Sequence, residues 1–165
     1  MALSDHRRAA VHVVRCAVVT VSDTRTEATD TSGRAIVELL ERAGHTVESK
    51  SIVRDEPEQV RTIVGAHVGR LDAVITTGGT GIASRDTTCD ALEQLFQRRL
   101  EGFGELFRAL SYEEIGSAAM LTRAVAGIAR GTAVFILPGS EHAVRLGMTK
   151  LILPELGHVV RELRR

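Results

Sequence analysis

Thr76-Thr77-Gly78-Gly79-Thr80-Gly81-Ile82-Ala83-Ser84-Arg85-Asp86 follows the apolar run Leu71-Asp72-Ala73-Val74-Ile75 and precedes Leu92, Leu95 and Phe96 at helical spacing. A short β-branched run before it and a 3.6-residue period after it make the stretch a strand-to-helix loop. Its three glycines permit positive φ and, lacking a Cβ, close approach by a ligand. Successive backbone N–H groups in such a loop form a nest for an anion, and the following helix adds its positive end. Threonine hydroxyls supply further donors, and Asp86 sets a carboxylate beside the nest. No Gly-Lys-Ser/Thr follows, and the glycine spacing is not that of the dinucleotide fingerprint. The loop therefore points to phosphate without naming a reaction.

The order of elements around the loop follows from the same patterning. Cys16 to Val21 reads as a first strand and Ser22 to Ser32 as a polar loop. Ile36, Leu39, Leu40 and Ala43 mark a helix ended by Gly44. Val47 to Val53 reads as a second strand. Asp55-Glu56-Pro57-Glu58 is a helix start, with Asp55 as the cap and Glu58 completing a box-like pair. Val60, Ile63, Val64 and Val68 give that helix its stripe. A βαβαβ order implies a parallel sheet covered on both faces. Ligands bind such sheets beyond the carboxyl ends of the strands, where the loops 22–32, 54–56 and 76–86 gather. Further on, the spacing predicts a helix over 88–99, a helical stretch within 102–115, and helical or irregular chain over 120–126. A buried strand over 131–137, a helix over 141–153 and a last helix beginning at Pro154 complete the chain. No repeat or linker interrupts residues 1–165, read as a single domain with a loose tail over 1–10.

Composition narrows the function. Hydrophobic residues make up 44% of the 165 and charged residues 25%, ordinary for a globular protein. Aromatics at 3% argue against base stacking, and 21 basic residues balance 21 acidic ones, leaving no global field for a polyanion. Nucleic acid is thus not an expected partner. No apolar run approaches the roughly 20 residues that span a bilayer. Cys16 and Cys89 show no metal-ligand spacing, and the expectation is a cytoplasmic protein with free thiols. Cys89 reads either as a buried filler or as a thiol activated at a helix N-terminus.

Several separate stretches occur together in one order: Val21-Ser22-Asp23-Thr24, Asp30-Thr31-Ser32-Gly33, the Gly-rich loop with Arg85-Asp86, Ser111-Tyr112-Glu113-Glu114-Ile115-Gly116, Met120-Leu121-Thr122-Arg123-Ala124, and Leu137-Pro138-Gly139-Ser140. As a set they resemble the MogA/MoaB family of molybdenum-cofactor biosynthesis, related to the gephyrin G domain, and its MoaB branch above all. The resemblance runs over roughly residues 12–163. It implies a three-layer α/β/α fold with a mostly parallel sheet, assembled as a homotrimer or homohexamer. It implies transfer of AMP from Mg-ATP to molybdopterin, with release of pyrophosphate, and contact with other molybdenum-cofactor enzymes. A MoaB-type protein that holds molybdopterin or its precursor without catalysis is the alternative.

The resemblance makes Asp55 and Asp86 the catalytic, Mg2+-binding carboxylates. It places Ser22, Asp23, Thr77, Gly78, Gly79, Thr80, Gly81, Ser117, Met120, Pro138, Gly139 and Ser140 around molybdopterin and ATP. Two positions depart from the pattern. After Asp86 the family often reads Val-Thr-Pro, whereas here Thr87, Thr88 and Cys89 follow. Glu141 stands where a proline usually follows Pro-Gly-Ser. From the residues alone, Asp55 and Asp86 read either as helix caps or as phosphate-site carboxylates. Ser22 and Asp23 read either as turn residues or as part of the ligand edge. Arg85 and Arg123 suit either phosphates or neighbouring carboxylates.

Overall fold

The structure, a computed structural model, describes residues 10–165. The expected N-terminal tail lies, apart from Ala10, outside the described residues. In chain order the elements are β1 (Arg15–Val21), α1 (Thr31–Arg42), β2 (Thr46–Val53), α2 (Pro57–His67) and β3 (Ala73–Thr77). Then come α3 (Thr88–Glu93), β4 (Arg98–Arg99), α4 (Glu101–Ile115) and a 3-10 segment (Gly116–Leu121). The chain ends with β5 (Val125–Ala129), β6 (Thr132–Leu137), α5 (Glu141–Gly147), a π-helical turn (Met148–Ile152) and α6 (Leu153–Leu163).

One six-stranded sheet has the order β2-β1-β3-β6-β5-β4. The first four strands in that order are parallel, while β5 and β4 run antiparallel at one edge. Strands covered on both faces read as unbroken apolar runs, because both side-chain directions meet a helix layer. In β1, Cys16 and Val18 join the core beneath α1, α4, α5 and α6, whereas Ala17, Val19 and Val21 join the core beneath α2 and α3. Phe103 links α4 to the sheet, 5.5 Å from Phe135 edge to face and 6.2 Å from Phe107. The three-layer, mostly parallel architecture implied by the sequence is the one observed.

Three local expectations change. The helix over 88–99 ends at Glu93, because the N–H groups of Gln97 and Leu100 donate to the Ile128 and Ala126 carbonyls. The Phe96 ring fills the space where a Cβ on Gly127 would stand, 2.3 Å from it. Residues 125–126, expected to be helical or irregular, begin β5 instead. β5 and β6 form a hairpin whose two turn residues, Arg130 and Gly131, both have positive φ (44° and 77°), the geometry that matches strand twist.

The helices on either side of Pro154 are continuous rather than separate. A proline inside a helix lacks a donor and collides with the carbonyl four residues back. Widening the preceding turn avoids that collision, and the Leu153 N–H donates to the Met148 carbonyl, five residues back.

Candidate active site

The parallel strands end their carboxyl termini at one edge, and the loops after β1, β2 and β3 interlock there. After β1, Ser22 accepts hydrogen bonds from the N–H groups of Thr24 and Arg25 (3.2 and 3.0 Å), so its hydroxyl closes a turn. Asp23 reaches across to the other loops. Its Oδ1 accepts from the Asp55 N–H (3.2 Å) and its Oδ2 from the Arg85 guanidinium (2.8 Å). The Arg85 hydrogen bond, more than its charge, holds the Asp23 carboxyl below the usual carboxylate range. Arg85 also donates to Glu56 (3.2 Å). One guanidinium on the third loop thus clasps carboxylates on the other two.

Asp55 is not the cap of α2. Glu56 holds that position and makes no side-chain cap bond. The Asp55 side chain is turned toward the end of the Gly-rich loop, where Oδ1 accepts from the Thr87 N–H (3.3 Å) and the Thr87 hydroxyl (2.8 Å). It is 8% exposed, and its Oδ2 accepts no hydrogen bond within the described residues. Asp86 is not a helix cap either, because Thr87 precedes α3. Asp86 Oδ2 instead accepts from the Ala83 N–H (3.1 Å) and closes a turn inside the loop, leaving Oδ1 unengaged among the described residues.

The glycines answer to the protein before they answer to a ligand. Gly78 has φ 103°, donates its N–H to the Leu137 carbonyl, and would place a Cβ 2.1 Å from the Val21 carbonyl oxygen. Gly79 has φ 68°, and its Cβ would stand 2.0 Å from the Thr88 hydroxyl and 2.9 Å from Asp55 Oδ2. The loop is therefore pinned against β1, β6 and the head of α3. Arg123 staples its outer side. Its backbone N–H donates to the Thr80 carbonyl, its guanidinium to the carbonyls of Gly81 and Asp86, and its Nη1 to Asp90. Both arginines engage carboxylates here.

Beside this assembly, a cavity of about 190 Å3 is lined by Thr20, Ser22, Arg25, Ser32, Thr77 and Gly139. The Thr77 hydroxyl donates to the Pro138 carbonyl (2.8 Å), and Ser140 caps α5 by accepting from the Ala143 N–H (3.2 Å). Glu141 pairs with Arg145 (2.9 Å) one turn on, so it does not take over the capping role. Ser22, Asp23, Thr77–Gly81, Asp55, Asp86 and Pro138–Ser140 are thus brought to one edge. Ser117 and Met120 stand apart from that cavity. Ser117 is exposed, and Met120 lines a separate cleft with Arg108 and Arg123, joined to the loop only through Arg123. A larger cavity, about 650 Å3, lies away from the edge, between α4 and α6, and is mainly apolar.

Asp30, Thr87 and Thr88 carry roles that the sequence does not assign to them. Asp30 is fully buried. Its carboxylate accepts from the Gly33 N–H and the Thr20 hydroxyl and meets the Lys50 ammonium (3.0, 2.8 and 3.0 Å). An Asp directly before the helical period is a capping signature that could have found it. Thr88 is fully buried, and its hydroxyl has no partner among the described residues. Nothing in the sequence signals that role.

Cys89 is the filler of the two readings. It is buried, burial pushes its thiol up to about 12, and its Sγ rests on the Arg123 carbonyl. Among the described residues, no group of three His, Cys, Asp or Glu side chains converges to hold a metal. A cation here would therefore draw on one or two carboxylates, hydroxyls, water and substrate oxygens, which is how Mg2+ is commonly held. The free oxygens of Asp55 and Asp86 and the orphaned Thr88 hydroxyl fit that donor set. No described helix is long and apolar enough to cross a membrane.

Residues 17–158 match the family described as "Probable molybdopterin binding domain". Molybdenum cofactor biosynthesis protein B of Bacillus subtilis is 51% identical over 168 residues, covering 100% of this chain and 99% of that relative. The protein of the same name from Staphylococcus aureus is 47% identical, covering 91% of this chain and 92% of its own length. Among solved structures, a Molybdenum cofactor biosynthesis protein B superposes with a TM-score of 0.88 at 54% identity, over 92% of this chain and 96% of that one. The tungsten cofactor synthesizing protein MoaB from Pyrococcus furiosus superposes at 0.85 with 40% identity, over 93% and 98%.

Proposed function

The chain belongs to the MoaB/MogA family of molybdenum-cofactor biosynthesis proteins, and from that premise we propose that it transfers AMP from Mg-ATP to molybdopterin. In this reaction a terminal phosphate oxygen of molybdopterin attacks the α-phosphorus of ATP. The new P–O bond forms as the bond to the β-phosphate oxygen breaks, and pyrophosphate leaves with that electron pair. The nucleophile is already an anion, so the step needs positioning and charge neutralisation more than a base. The site's inventory agrees with that demand: backbone donors, hydroxyls and carboxylates, with Cys89 buried and protonated.

One observation carries the reading. Asp55 and Asp86 each commit one carboxylate oxygen to holding the Gly-rich loop and leave the other without a hydrogen bond among the described residues. Bound Mg2+ would neutralise charge on the polyphosphate, and Asp55 and Asp86 would hold it. The glycine loop orients phosphate through its N–H groups, and the cavity at Thr20, Ser22, Arg25, Thr77 and Gly139 receives part of a substrate. The exposed apolar side chains Tyr112 and Ile115 at the end of α4, with Met120 and Leu121 on the 3-10 segment, are assigned to homo-oligomer contact, as a trimer or hexamer.

The test is turnover. Purified protein with molybdopterin, ATP and Mg2+ is expected to release pyrophosphate, and Asp86→Asn to lose at least about tenfold in rate, ~1.4 kcal/mol in the barrier, at an unchanged melting temperature. Binding of molybdopterin without pyrophosphate would replace the enzyme with a binding protein. Near-normal turnover of the variant would reduce Asp86 to a turn residue.

A further inference from the structure

Thr87 and Thr88 are consecutive hydroxyl residues at the head of α3, and they treat Asp55 differently. Thr87 places both its donors, N–H and O–H, on the same oxygen, Asp55 Oδ1. A carboxylate held this way cannot rotate freely about its last bond, and a hydroxyl donating to a charged oxygen is among the stronger hydrogen bonds. The consequence falls on the other oxygen. Asp55 Oδ2 is turned toward Gly79, to within 2.9 Å of the point its Cβ would occupy, and the Thr88 hydroxyl lies 2.0 Å from that point. A buried hydroxyl without a partner is costly, because it has given up water and gained nothing in return. Here that hydroxyl stands beside an unengaged carboxylate oxygen, in a niche kept open by the absence of a side chain on Gly79.

We propose that Thr87 is a positioning residue, whose hydroxyl sets the rotation of Asp55 so that Oδ2, beside the Thr88 hydroxyl, is presented to the divalent cation of the bound polyphosphate. This rests on the function proposed above. Outer hydrogen bonds that orient a ligating carboxylate commonly change metal affinity ten- to a hundredfold.

The experiment measures Mn2+ binding to the full-length protein by the fall in its free-ion EPR signal, with a non-hydrolysable ATP analogue present. Thr87→Val keeps the shape and the N–H bond but removes the hydroxyl, Thr87→Ala removes it without a branched methyl, and Thr87→Ser restores it. The expected result is about tenfold weaker Mn2+ binding in the valine and alanine variants, recovery in the serine variant, and melting temperatures close to that of the parent. Parental Mn2+ affinity in Thr87→Val would overturn the proposal. So would weaker binding in both variants that only tracks a lowered melting temperature. Asp55→Asn separates this from the larger reading. If it abolishes Mn2+ binding while Thr87→Val does not, only the clamp fails. If Asp55→Asn itself binds Mn2+ like the parent, the assignment of Asp55 to the cation fails.

Discussion

Asp23 Oδ2 and the Arg85 guanidinium lie 62 residues apart in sequence and 2.8 Å apart in space. That contact, with the bond from the Asp55 N–H to Asp23 Oδ1, turns three separate strand ends into one assembly. Asp23, itself exposed, therefore ties the three loops together, with both carboxylate oxygens committed to the protein.

Asp30 is expected to make stability fall in acid. Burial alone would raise its pKa, but the Thr20 hydroxyl, the Lys50 ammonium and the Gly33 N–H together hold it below the usual range. A carboxyl with a depressed folded pKa contributes stability above its unfolded pKa of about 3.9 and loses it as pH falls through the folded value. Asp30→Ala also uncaps α1, takes the acceptor from the Thr20 hydroxyl and leaves Lys50 with Glu27 as a partner, at a cost of about 2 kcal/mol near neutral pH. Urea unfolding of parent and variant from pH 7 to pH 2 checks both claims. The gap between them is expected to narrow only in the acid range, and a constant gap would contradict the linkage.

Gly78→Ala and Gly139→Ala are expected to separate fold from binding. At Gly78 a Cβ meets the Val21 carbonyl at 2.1 Å with φ at 103°, so the loop must move and more than about 2 kcal/mol is lost. At Gly139 the nearest atom to a Cβ is Gly78 Cα at 3.5 Å, an ordinary contact, and stability should change by less than about 0.5 kcal/mol. The added methyl narrows the 190 Å3 cavity, so calorimetry with molybdopterin and an ATP analogue should show weakened binding of one of them. Parental affinity for both would remove that cavity from the substrate site. Gly79→Val is a poor probe of ligand approach, since its side chain collides with Thr88 and Asp55 first.

Oligomer contact is expected to respond to Ile115→Lys and Tyr112→Glu. These side chains are 57% and 63% exposed on one face of α4, so a charge there leaves the core alone. Sedimentation equilibrium at micromolar protein should show a trimer or hexamer in the parent and smaller species in the variants, with unchanged circular dichroism. A parental monomer would contradict the assignment. Phe107→Glu cannot serve, because Phe107 is 1% exposed and packs beside Phe103.

Thiol titration is expected to find no fast-reacting cysteine. Burial pushes Cys16 and Cys89 up to about 12, so neither presents a thiolate near neutral pH. An aromatic disulfide reagent should label two thiols in denaturant and none within minutes in buffer. Rapid labelling of Cys89 in the native protein would contradict its burial at the head of α3.

The order of helices and strands around a parallel sheet was legible in the chain, because strands buried on both faces are continuous apolar runs and helices carry a 3.6-residue stripe. The ligand edge was legible too, since the carboxyl ends of parallel strands gather the loops that follow them. The hairpin of β5 and β6 escaped because Val125-Ala126-Gly127-Ile128-Ala129 is short and small-residued, and its strand state comes from pairing with Thr132–Leu137. The π turn before Pro154 escaped because the residue that breaks one helix can be absorbed by the neighbouring turn.

At the site, residue types were legible and allegiances were not. Asp55 has the local sequence of a helix cap, yet it bonds to Thr87, 32 residues away. Arg85 has the charge for a phosphate, yet it clasps Asp23 and Glu56. Local sequence determines which conformations a segment prefers and which groups it carries. Which donor meets which acceptor depends on where the packed sheet sets the ends of β1, β2 and β3, and only the tertiary structure decided that.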